Sequence, residues 1–215
     1  MARLLPFTAD NWEAVVPPVR ERLDRHGLIA LPTETFYGLA VRPMDQEALH
    51  RLHEAKGRPT DKPILLLIGH PDQLGPLVSA IPPAASLLMA RFWPGPLTLV
   101  FPAAKGLSPR LTAGTGTIGV RLPPLPHLRA LLQVVGPLTG TSANRSSEPA
   151  LDTAAAVDCS LGDELDLILD GGRTPGGAVS TIVDTRSPLR LLRPGAVDIE
   201  MLRTALGEGG YTLSS

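Results

Sequence analysis

The sequence predicts an α/β fold, a single layered domain with a twisted mixed β-sheet that takes in residues 1–215. Short apolar runs bounded by turn residues predict strands, and amphipathic helical patterns lie between most of these runs. The last two runs are separated only by the turn TRSP, which favours an antiparallel hairpin over a crossover connection. A chain of 215 residues with 43% hydrophobic content is long enough for one α/β domain and too short for two ordinary ones.

The predicted strands are apolar runs of four to six residues, each rich in Leu, Ile or Val. They occupy residues 28–32, 64–68, 97–101, 117–122, 165–170, 180–184 and 189–192. Runs of this length that end at Gly, Pro, Asp or Thr are typical of strands in a layered sheet.

The helix with the clearest sequence signals covers residues 45–55. Asp45 is a candidate N-cap, and Leu49 and Leu52 lie on one face of the pattern. Gly57 follows the last periodic residue and ends the helix. Other helical patterns occupy residues 18–26, 83–92, 125–133 and 197–206.

Composition and cysteine usage restrict the class of protein. The formal net charge of −1 excludes a global basic field of the kind that drives nonspecific nucleic-acid binding. Cys159, the only cysteine, excludes an intramolecular disulfide, and its helical pattern predicts that it packs. The apolar run at the N-terminus is too short for a signal peptide or a membrane span, so we expect a cytoplasmic protein.

A dense set of hydroxyl groups follows the first predicted strand, in the segment LPTETFYGLA. Thr33, Thr35 and Tyr37 precede Gly38 at the carboxyl end of that strand. Open α/β sheets bind ligands at this edge. The alternative is a strand-to-turn junction whose hydroxyls cap the backbone, and this segment alone favours neither interpretation.

The segment KGRPTDKP contains two of the three lysines in the chain. Lys56, Arg58 and Lys62 can converge on phosphate groups from a loop that its glycine and prolines hold extended. The alternative is a solvated loop with positive charges near a helix C-terminus. No matching acidic run lies beside it, which favours the phosphate-binding interpretation.

Two later segments place polar side chains at strand ends. AGTGTIGVRLP has a glycine-spaced turn before Thr117 and Arg121, and such backbone can approach a phosphate closely. GTSAN ends a short strand in Ser142 and Asn144. Neither segment matches a Rossmann or Walker A fingerprint, so a plain tight turn is as good an interpretation of each one alone.

Searches for metal ligands and nucleophiles find no strong pattern. His50 and His53 are helical neighbours followed by Glu54, but their order matches neither HExxH nor HxxEH. We expect surface histidines, with no protein-bound metal and no covalent nucleophile.

Taken together, five ordered segments resemble the YrdC/YciO family of threonylcarbamoyl-adenylate synthases over roughly residues 15 to 200. The segments are PTETFYGL, KGRPTDKP, GTIGVRLP, TSAN, and STIVD followed by LRPG. Five segments in the family's order are far more specific than any one of them. The resemblance implies a YrdC/RibB-like sheet with a concave basic cavity.

The resemblance also implies a reaction. L-threonine, bicarbonate and ATP would yield threonylcarbamoyl-AMP and pyrophosphate for tRNA t6A modification. The threonine amine would become a carbamate that attacks the α-phosphorus, and fixed cations would stabilise the transition state. Mg²⁺ is expected with ATP, and the expected partners are downstream tRNA threonylcarbamoyl-transfer proteins, with possible direct contact to tRNA.

The resemblance assigns an expected role to each candidate site residue according to its position in the motifs. Lys56 and Arg58 match the family's KxR signature and are the expected catalytic residues. The expected ATP-binding residues are Arg58, Lys62, Thr117, Asn144 and Arg193. The expected threonine-binding residues are Thr35, Leu67, Arg121, Ser142 and Ser180.

The sequence departs from the family pattern at two positions. Leu67 stands where many threonine-binding relatives carry His, and Ser147 stands where Gly is common. The first departure bears on the choice of amino acid. Longer relatives carry an extra C-terminal domain, and this sequence resembles the short form.

Two other hypotheses remain open from the sequence. An RNA-binding module, for tRNA or double-stranded RNA, would also suit a concave basic surface, but the net charge and the 4% aromatic content argue against it. The other is a YciO-like paralogue that binds nucleotide and acts on a substrate other than threonine.

Overall fold

The computed structural model describes residues 2–57 and 62–214 of the chain. Within these ranges the strands are β1 (Arg3–Pro6), β2 (Ile29–Leu31), β3 (Gly38–Ala40), β4 (Leu66–Leu67), β5 (Leu97–Pro102), β6 (Thr117–Arg121), β7 (Leu138–Thr139), β8 (Thr141–Ser142), β9 (Leu167–Asp170), β10 (Thr181–Asp184) and β11 (Arg190–Arg193). The helices there are α1 (Val16–Leu23), α2 (Gln46–Lys56), α3 (Pro83–Phe92), α4 (Pro109–Thr112), α5 (Pro126–Val135), α6 (Ala154–Leu161) and α7 (Ile199–Glu208), with short 3₁₀ helices at Trp12–Val15 and Pro71–Leu74.

Across the described residues, the strands form two mixed sheets. The first has the order β1-β9-β2-β3-β8, with β9 parallel to both neighbours and β3 antiparallel to both. The second has the order β11-β10-β5-β6-β4-β7 and combines parallel with antiparallel pairs. The predicted α/β class, the mixed strand directions and the antiparallel hairpin of β10 and β11 are confirmed. The strands divide between two sheets where the sequence indicated one.

Residues 138–142 carry the chain from the second sheet to the first. β7 pairs with β4, β8 pairs with β3, and Gly140 lies between them. The Gly140 N–H donates a hydrogen bond of 2.9 Å to the Leu65 carbonyl oxygen. A Cβ atom at Gly140 would lie 2.6 Å from Leu67 Cγ, closer than real contacts allow. Glycine therefore permits the close packing at the point where the chain changes sheets.

Alternate residues of β2 show that both faces of the first sheet are buried. Ile29 and Leu31 belong to a hydrophobic cluster that contains residues of α1 and α5. Leu28 and Ala30 belong to a second cluster with residues of α2 and α6. Because side chains alternate across a strand, each face packs against its own pair of helices. Full burial of a leucine or isoleucine side chain contributes roughly 1.5 to 3 kcal/mol to the stability of the fold. These two clusters therefore stabilise the first sheet and the helices packed on it.

The central strand β5 of the second sheet has two different faces. Leu97, Leu99 and Phe101 are fully buried in the cluster that also contains residues of α3 and α7. Thr98 and Val100 alternate with them and point to the opposite face. That opposite face borders the cavity described below.

Helix α2 begins and ends where the sequence predicts. Asp45 Oδ1 accepts hydrogen bonds from the N–H groups of Glu47 at 3.1 Å and Ala48 at 3.0 Å. Gly57 ends the helix in the left-handed conformation, with φ of 54°. Lys56 is the last helical residue, so α2 places it directly before the segment 58–61, which lies outside the described residues.

The helices in the described part of the chain are short. The longest among them, α2, has 11 residues, whereas a helix needs about 20 apolar residues to cross a bilayer. No helix in these ranges has the combination of length and apolar character that a membrane span requires.

Candidate functional site

A cavity of about 560 Å³ lies against the face of the second sheet that carries Thr98 and Val100. Its lining comes from β5, β6, β10 and β11, and from two segments that belong to the first sheet. These are the turn between β2 and β3, and the start of β8. A volume of this size is ordinary for a small-molecule binding site.

Two cross-strand rows of the second sheet face this cavity. The first, called the Thr98 row, consists in register of Arg193, Ile182, Thr98 and Arg121. The second, called the Val100 row, consists of Arg190, Asp184, Val100 and Gly119. All eight residues line the cavity. The rows are two residues apart on β5, β6 and β10, a distance of about 7 Å, and three residues apart on β11, where the register shifts.

A buried ion pair lies at the β6 end of the Thr98 row. Arg121 Nη1 is 3.1 Å from Glu34 Oε1, and the two side chains are 4% and 11% exposed. Among the described residues, neither Glu34 oxygen nor Arg121 Nε has a hydrogen-bond partner. Burial lowers the pKa of Arg121, while the charge of Glu34 opposes that shift. The guanidinium is thus held by charge in a site that largely excludes water.

Arg193 occupies the other end of the same row. Its Nε and Nη2 donate hydrogen bonds of 3.1 and 2.8 Å to the Ser180 carbonyl oxygen. Its Nη2 also lies 3.0 Å from Ser180 Oγ, which in turn is 3.0 Å from Thr98 Oγ1. Burial, with a further effect from the charge of Arg121, lowers the pKa of Arg193. Two guanidinium groups therefore influence each other across the Thr98 row.

The turn between β2 and β3 is fixed by its own hydroxyl groups. Thr33 Oγ1 donates to the Phe36 carbonyl oxygen at 2.7 Å and lies 3.0 Å from Thr35 Oγ1. The Gly176 N–H donates to the Thr35 carbonyl oxygen at 2.9 Å. Tyr37 is fully buried, its hydroxyl donates to the Gly172 carbonyl oxygen at 2.7 Å, and burial raises its pKa to about 12. These bonds hold the turn against the cavity.

Lys56 and Asn144 fix the turn that follows β8. Lys56 is 2% exposed, and its Nζ donates hydrogen bonds to the carbonyl oxygens of Ser142 and Asn144. The Asn144 Nδ2 donates to the carbonyl oxygens of Arg145 at 2.9 Å and Glu148 at 2.7 Å. Both side chains are engaged with backbone, so their visible role is to shape this turn.

The cavity brings together many of the residues that the resemblance assigns to the site. Those that line it are Thr35, Thr117, Arg121, Ser142, Ser180 and Arg193. The lining residues do not include Lys56, Lys62 or Asn144. Lys56 nevertheless donates hydrogen bonds to the carbonyl oxygens of Ser142 and Asn144, and so fixes the turn next to the cavity. Arg58 lies outside the described residues.

The structure buries the Leu67 side chain in the core, and its role in binding threonine stays a prediction. Leu67 pairs in register with Arg121, but its side chain is fully buried in the cluster with α1 and α5 and does not line the cavity. Leu65, two residues earlier, lines the cavity instead. Both leucines lie over the backbone of Gly140, where a Cβ atom would lie 2.6 Å from Leu67 Cγ and 3.0 Å from Leu65 Cδ1.

Sequence reasoning missed several residues of the cavity. Asp184, Arg186 and Arg190 line it without belonging to any predicted ligand-binding motif. The signal that could have found Asp184 is the strand alternation from Ser180, which puts both residues on one face. Glu34 lies within a recognised segment but has no predicted site role.

Charge in the cavity comes mainly from arginine. Four arginines line it among the described residues, namely Arg121, Arg186, Arg190 and Arg193. Asp184 lines it as well, and Glu34 contacts Arg121. The predicted basic character of the whole cavity stays a prediction, because residues 58–61 lie outside the described ranges.

Metal-ligating side chains do not converge in the part of the chain that the structure describes. Within it, no three His, Cys, Asp or Glu residues form a group that could hold a metal ion. His50 Nε2 instead lies 3.4 Å from Glu54 Oε1 on α2. Cys159 was expected to pack and is exposed on α6, so that expectation is wrong.

Comparison with known protein families gives one match over most of the chain. A family model for Sua5, YciO and YrdC, described as "Telomere recombination", matches residues 21–195. Among curated relatives, the threonylcarbamoyl-AMP synthase of Pyrococcus abyssi is 38% identical over 208 residues, which cover 90% of this chain and 61% of that protein. The one of Bacillus subtilis is 39% identical over 188 residues, or 86% of this chain and 54% of that protein. The chain thus spans between half and two thirds of the length of these relatives.

Solved structures show the same relationship. Pyrococcus abyssi Sua5 complexed with L-threonine matches with a TM-score of 0.89 and 34% identity, over all of this chain and 62% of that one. Escherichia coli YciO matches with a TM-score of 0.81 and 25% identity, over 93% of this chain and 98% of that one. The likeness is greater to the threonine-bound protein than to YciO.

Proposed function

The chain belongs to the Sua5/YciO/YrdC family, and we propose that it forms threonylcarbamoyl-AMP and pyrophosphate from L-threonine, bicarbonate and ATP. The observation that carries this proposal is the single cavity that gathers residues assigned to both substrates. Arg121, Ser142 and Ser180 on the amino-acid side lie in the same cavity as Thr117 on the nucleotide side. A reaction that joins an amino acid to a nucleotide requires such a shared site.

The Thr98 row provides the proposed amino-acid end. Arg121 is preorganised by Glu34 to bind the threonine α-carboxylate, because a guanidinium matches a carboxylate in shape and charge. Hydroxyl groups of Thr35, Ser142 and Ser180 line the same cavity and can bond the substrate's polar groups. In this account Leu65 takes over the apolar contact first expected from Leu67.

The nucleotide end is proposed to lie toward Thr117, at the opposite end of β6 from Arg121. Gly119 lies between Thr117 and Arg121 on β6 and lines the cavity. It has no side chain to occupy the cavity at this point. Lys62 and Arg58 belong to the segment that precedes β4 and remain assigned to ATP. In this account Lys56 and Asn144 act as positioning residues that hold the Ser142 turn.

The proposed reaction requires the protein to orient the substrates and to supply positive charge near the reacting phosphorus. The threonine amine and bicarbonate form a carbamate with loss of water, a carbamate oxygen attacks the α-phosphorus, and pyrophosphate leaves with the electrons of the broken P–O bond. Arg121 orients the amino acid, and Arg193 is held by Ser180 where negative charge gathers. Fixed cations in a largely buried site stabilise such a transition state more than they would in water.

Mg²⁺ is proposed to arrive with ATP as part of the nucleotide substrate. Asp184 is the carboxylate that lines the cavity among the described residues, and it is already bonded to Arg186. The donor set there suits the phosphates of a metal–nucleotide complex better than a bare cation. When bound, the ion would neutralise phosphate charge.

The proposed place of work is the cytoplasm, upstream of proteins that transfer the threonylcarbamoyl group to tRNA. The match to threonylcarbamoyl-AMP synthases supports this place in the reaction sequence. The YciO-like alternative is less well supported, because identity to YciO is 25% against 34% to the threonine-bound protein. The RNA-binding alternative is less well supported because the curated relatives are named as threonylcarbamoyl-AMP synthases.

A pyrophosphate-release assay with ATP, bicarbonate and different amino acids tests the proposal. L-threonine should give the highest kcat/KM, L-serine less, and L-valine the least. Loss of a methyl group costs about 1 to 3 kcal/mol of discrimination, whereas loss of the hydroxyl leaves polar groups of the pocket unpaired. Release of ADP and phosphate, or no turnover with any amino acid, would contradict the proposal. Valine at or above threonine would contradict the hydroxyl-binding pocket.

A further inference from the structure

We propose that Arg190, with Arg186 beside it, binds the β- and γ-phosphates of the nucleotide, a subsite that no motif of the sequence indicates. The inference rests on the proposed function and adds a ligand contact to it. Its ligand class is a polyphosphate, and its residues lie on β11 and on the turn that joins β10 to β11.

Arg190 faces the cavity from the edge strand of the second sheet. It is the Val100-row partner of Asp184, and it lines the cavity while remaining exposed. An exposed arginine on an edge strand is ordinarily a solvated surface charge. Its position in a row that forms the cavity wall distinguishes Arg190 from that ordinary case.

Asp184 forms its hydrogen bonds with Arg186 and not with Arg190, although Asp184 and Arg190 lie directly opposite each other. Arg186 Nε lies 3.0 Å from Asp184 Oδ1, and its Nη2 lies 2.6 Å from Oδ2. The Arg186 N–H donates a further bond of 3.1 Å to Oδ1. Burial alone would raise the pKa of the Asp184 carboxyl, but these bonds, together with the charges of Arg186 and Arg190, hold it below its usual value. The carboxylate is therefore committed to Arg186.

Arg190 consequently contributes a positive charge that interacts with Asp184 only through space, because that carboxylate is bonded to Arg186. In the described ranges, its guanidinium makes no hydrogen bond and no ion pair. Arg186 is fixed in place by its bidentate bond, and its side chain is 47% exposed. Two guanidinium groups with one carboxylate between them leave one net positive charge at this edge, which suits a phosphate anion.

The position of Arg190 agrees with the direction in which the pyrophosphate leaving group must extend from the α-phosphorus. The amino-acid end lies at the Thr98 row, where Arg121 and Ser180 are found. The Val100 row lies about 7 Å further along the strands. A triphosphate whose α-phosphorus reacts beside the amino acid must project its other two phosphates away from it. Arg190 lies on that side of the Thr98 row.

Calorimetric titration of the purified protein with inorganic tripolyphosphate, magnesium ATP and AMP tests the subsite without requiring turnover. Arg190→Ala should weaken binding of tripolyphosphate and ATP about tenfold, the loss expected for one charge-assisted hydrogen bond, and leave AMP binding within about twofold of wild type. Arg190→Lys should restore part of the loss. Arg3→Ala is the matched control, because Arg3 is also exposed on an edge strand and is unpaired among the described residues. It should leave all three affinities unchanged.

Three results would overturn the subsite: failure of wild type to bind tripolyphosphate, tripolyphosphate binding by Arg190→Ala within twofold of wild type, or an equal loss of AMP binding. Failure of the proposed function has a different signature, since wild type would then release no pyrophosphate with any amino acid while binding remains measurable. Thermal unfolding of each variant confirms that it is folded, and Arg190→Gln replaces Arg190→Ala if alanine impairs folding.

Discussion

Glu34 and Arg121 form the most deeply buried ion pair described in the cavity, with side chains 11% and 4% exposed. A buried pair of this kind stabilises little by itself, because desolvation offsets most of its attraction. Breaking it is costly, because one uncompensated charge remains in a site that excludes water. We therefore assign Glu34 a positioning role, in which it holds the guanidinium for the substrate carboxylate.

Glu34→Gln should lower the free energy of unfolding by about 3 kcal/mol, since it removes the counterion of buried Arg121 while preserving side-chain shape. Glu200→Gln is the control, because Glu200 pairs with Arg203 at an exposed helix surface and should cost less than about 1 kcal/mol. Urea denaturation monitored by circular dichroism measures both. Equal losses in the two variants would show that Glu34 is not a buried counterion.

Single residues also show what the sequence could and could not predict about the site. Hydroxyl and guanidinium groups in recognised segments, such as Ser180 and Arg121, line the cavity, and both lie at a strand end, Ser180 just before β10 and Arg121 at the end of β6. Arg190 could not be found in this way, because its site role depends on the pairing of Asp184 with Arg186. Ser147 has φ of 74°, a left-handed conformation that favours glycine, which fits the expectation from the resemblance that glycine suits this position.

At the scale of elements, the segment of β7, Gly140 and β8 connects the two sheets. The sequence indicated a short strand before GTSAN, but pairing with two different sheets could not be predicted. Strand register depends on contacts that are distant along the chain, as in the pairing of β1 with β9. Local patterns predicted β5, β6 and β10 because each has an apolar run that is bounded by turn residues.

Gly140→Ala should lower the free energy of unfolding by about 2 kcal/mol, because the new Cβ would overlap Leu67 in the fully packed core. Gly207→Ala is the matched control, since a Cβ there meets nothing within 4 Å and alanine favours a helix. It should be neutral or slightly stabilising. Thermal or urea unfolding compares the two, and an equally tolerated Gly140→Ala would contradict the close packing at the sheet crossing.

The stability that comes from the contact between His26, after α1, and Asp45, just before α2, should depend on pH. His26 Nδ1 lies 2.8 Å from Asp45 Oδ2, and this hydrogen bond, with the charge of Asp45, raises the pKa of His26 above 6.5. A raised pKa means that the fold favours the protonated ring. The resulting stability is fully present below about pH 6.5 and is lost as the pH rises through the folded-state value.

His26→Asn should therefore be less stable than wild type at pH 5.5, and the difference should disappear at about pH 9. Asparagine is the suitable replacement because it tolerates the positive φ of 57° at this position. Unfolding free energies at both pH values measure the effect. A difference that is the same at both values would mean that protonation of His26 does not contribute.

At the scale of the whole molecule, the cavity exists because two sheets meet around it. The second sheet contributes the Thr98 and Val100 rows, while the first sheet contributes the turn after β2 and the start of β8. The groups proposed to bind the amino acid and the nucleotide thus come from segments that are far apart in sequence. Ordered motifs predicted which segments would meet, but the two-sheet arrangement decided which side chains face the cavity.

The most direct test of the proposed activity is mass spectrometry of the nucleotide product formed from ATP, L-threonine and bicarbonate labelled with heavy carbon. The account predicts an adenylate that contains threonine and one labelled carbon, formed in equal amount with pyrophosphate. This result follows from the proposed placement of the amino acid at the Thr98 row, in the same cavity as the proposed nucleotide end. Formation of ADP and phosphate, or of an adenylate without the label, would contradict it.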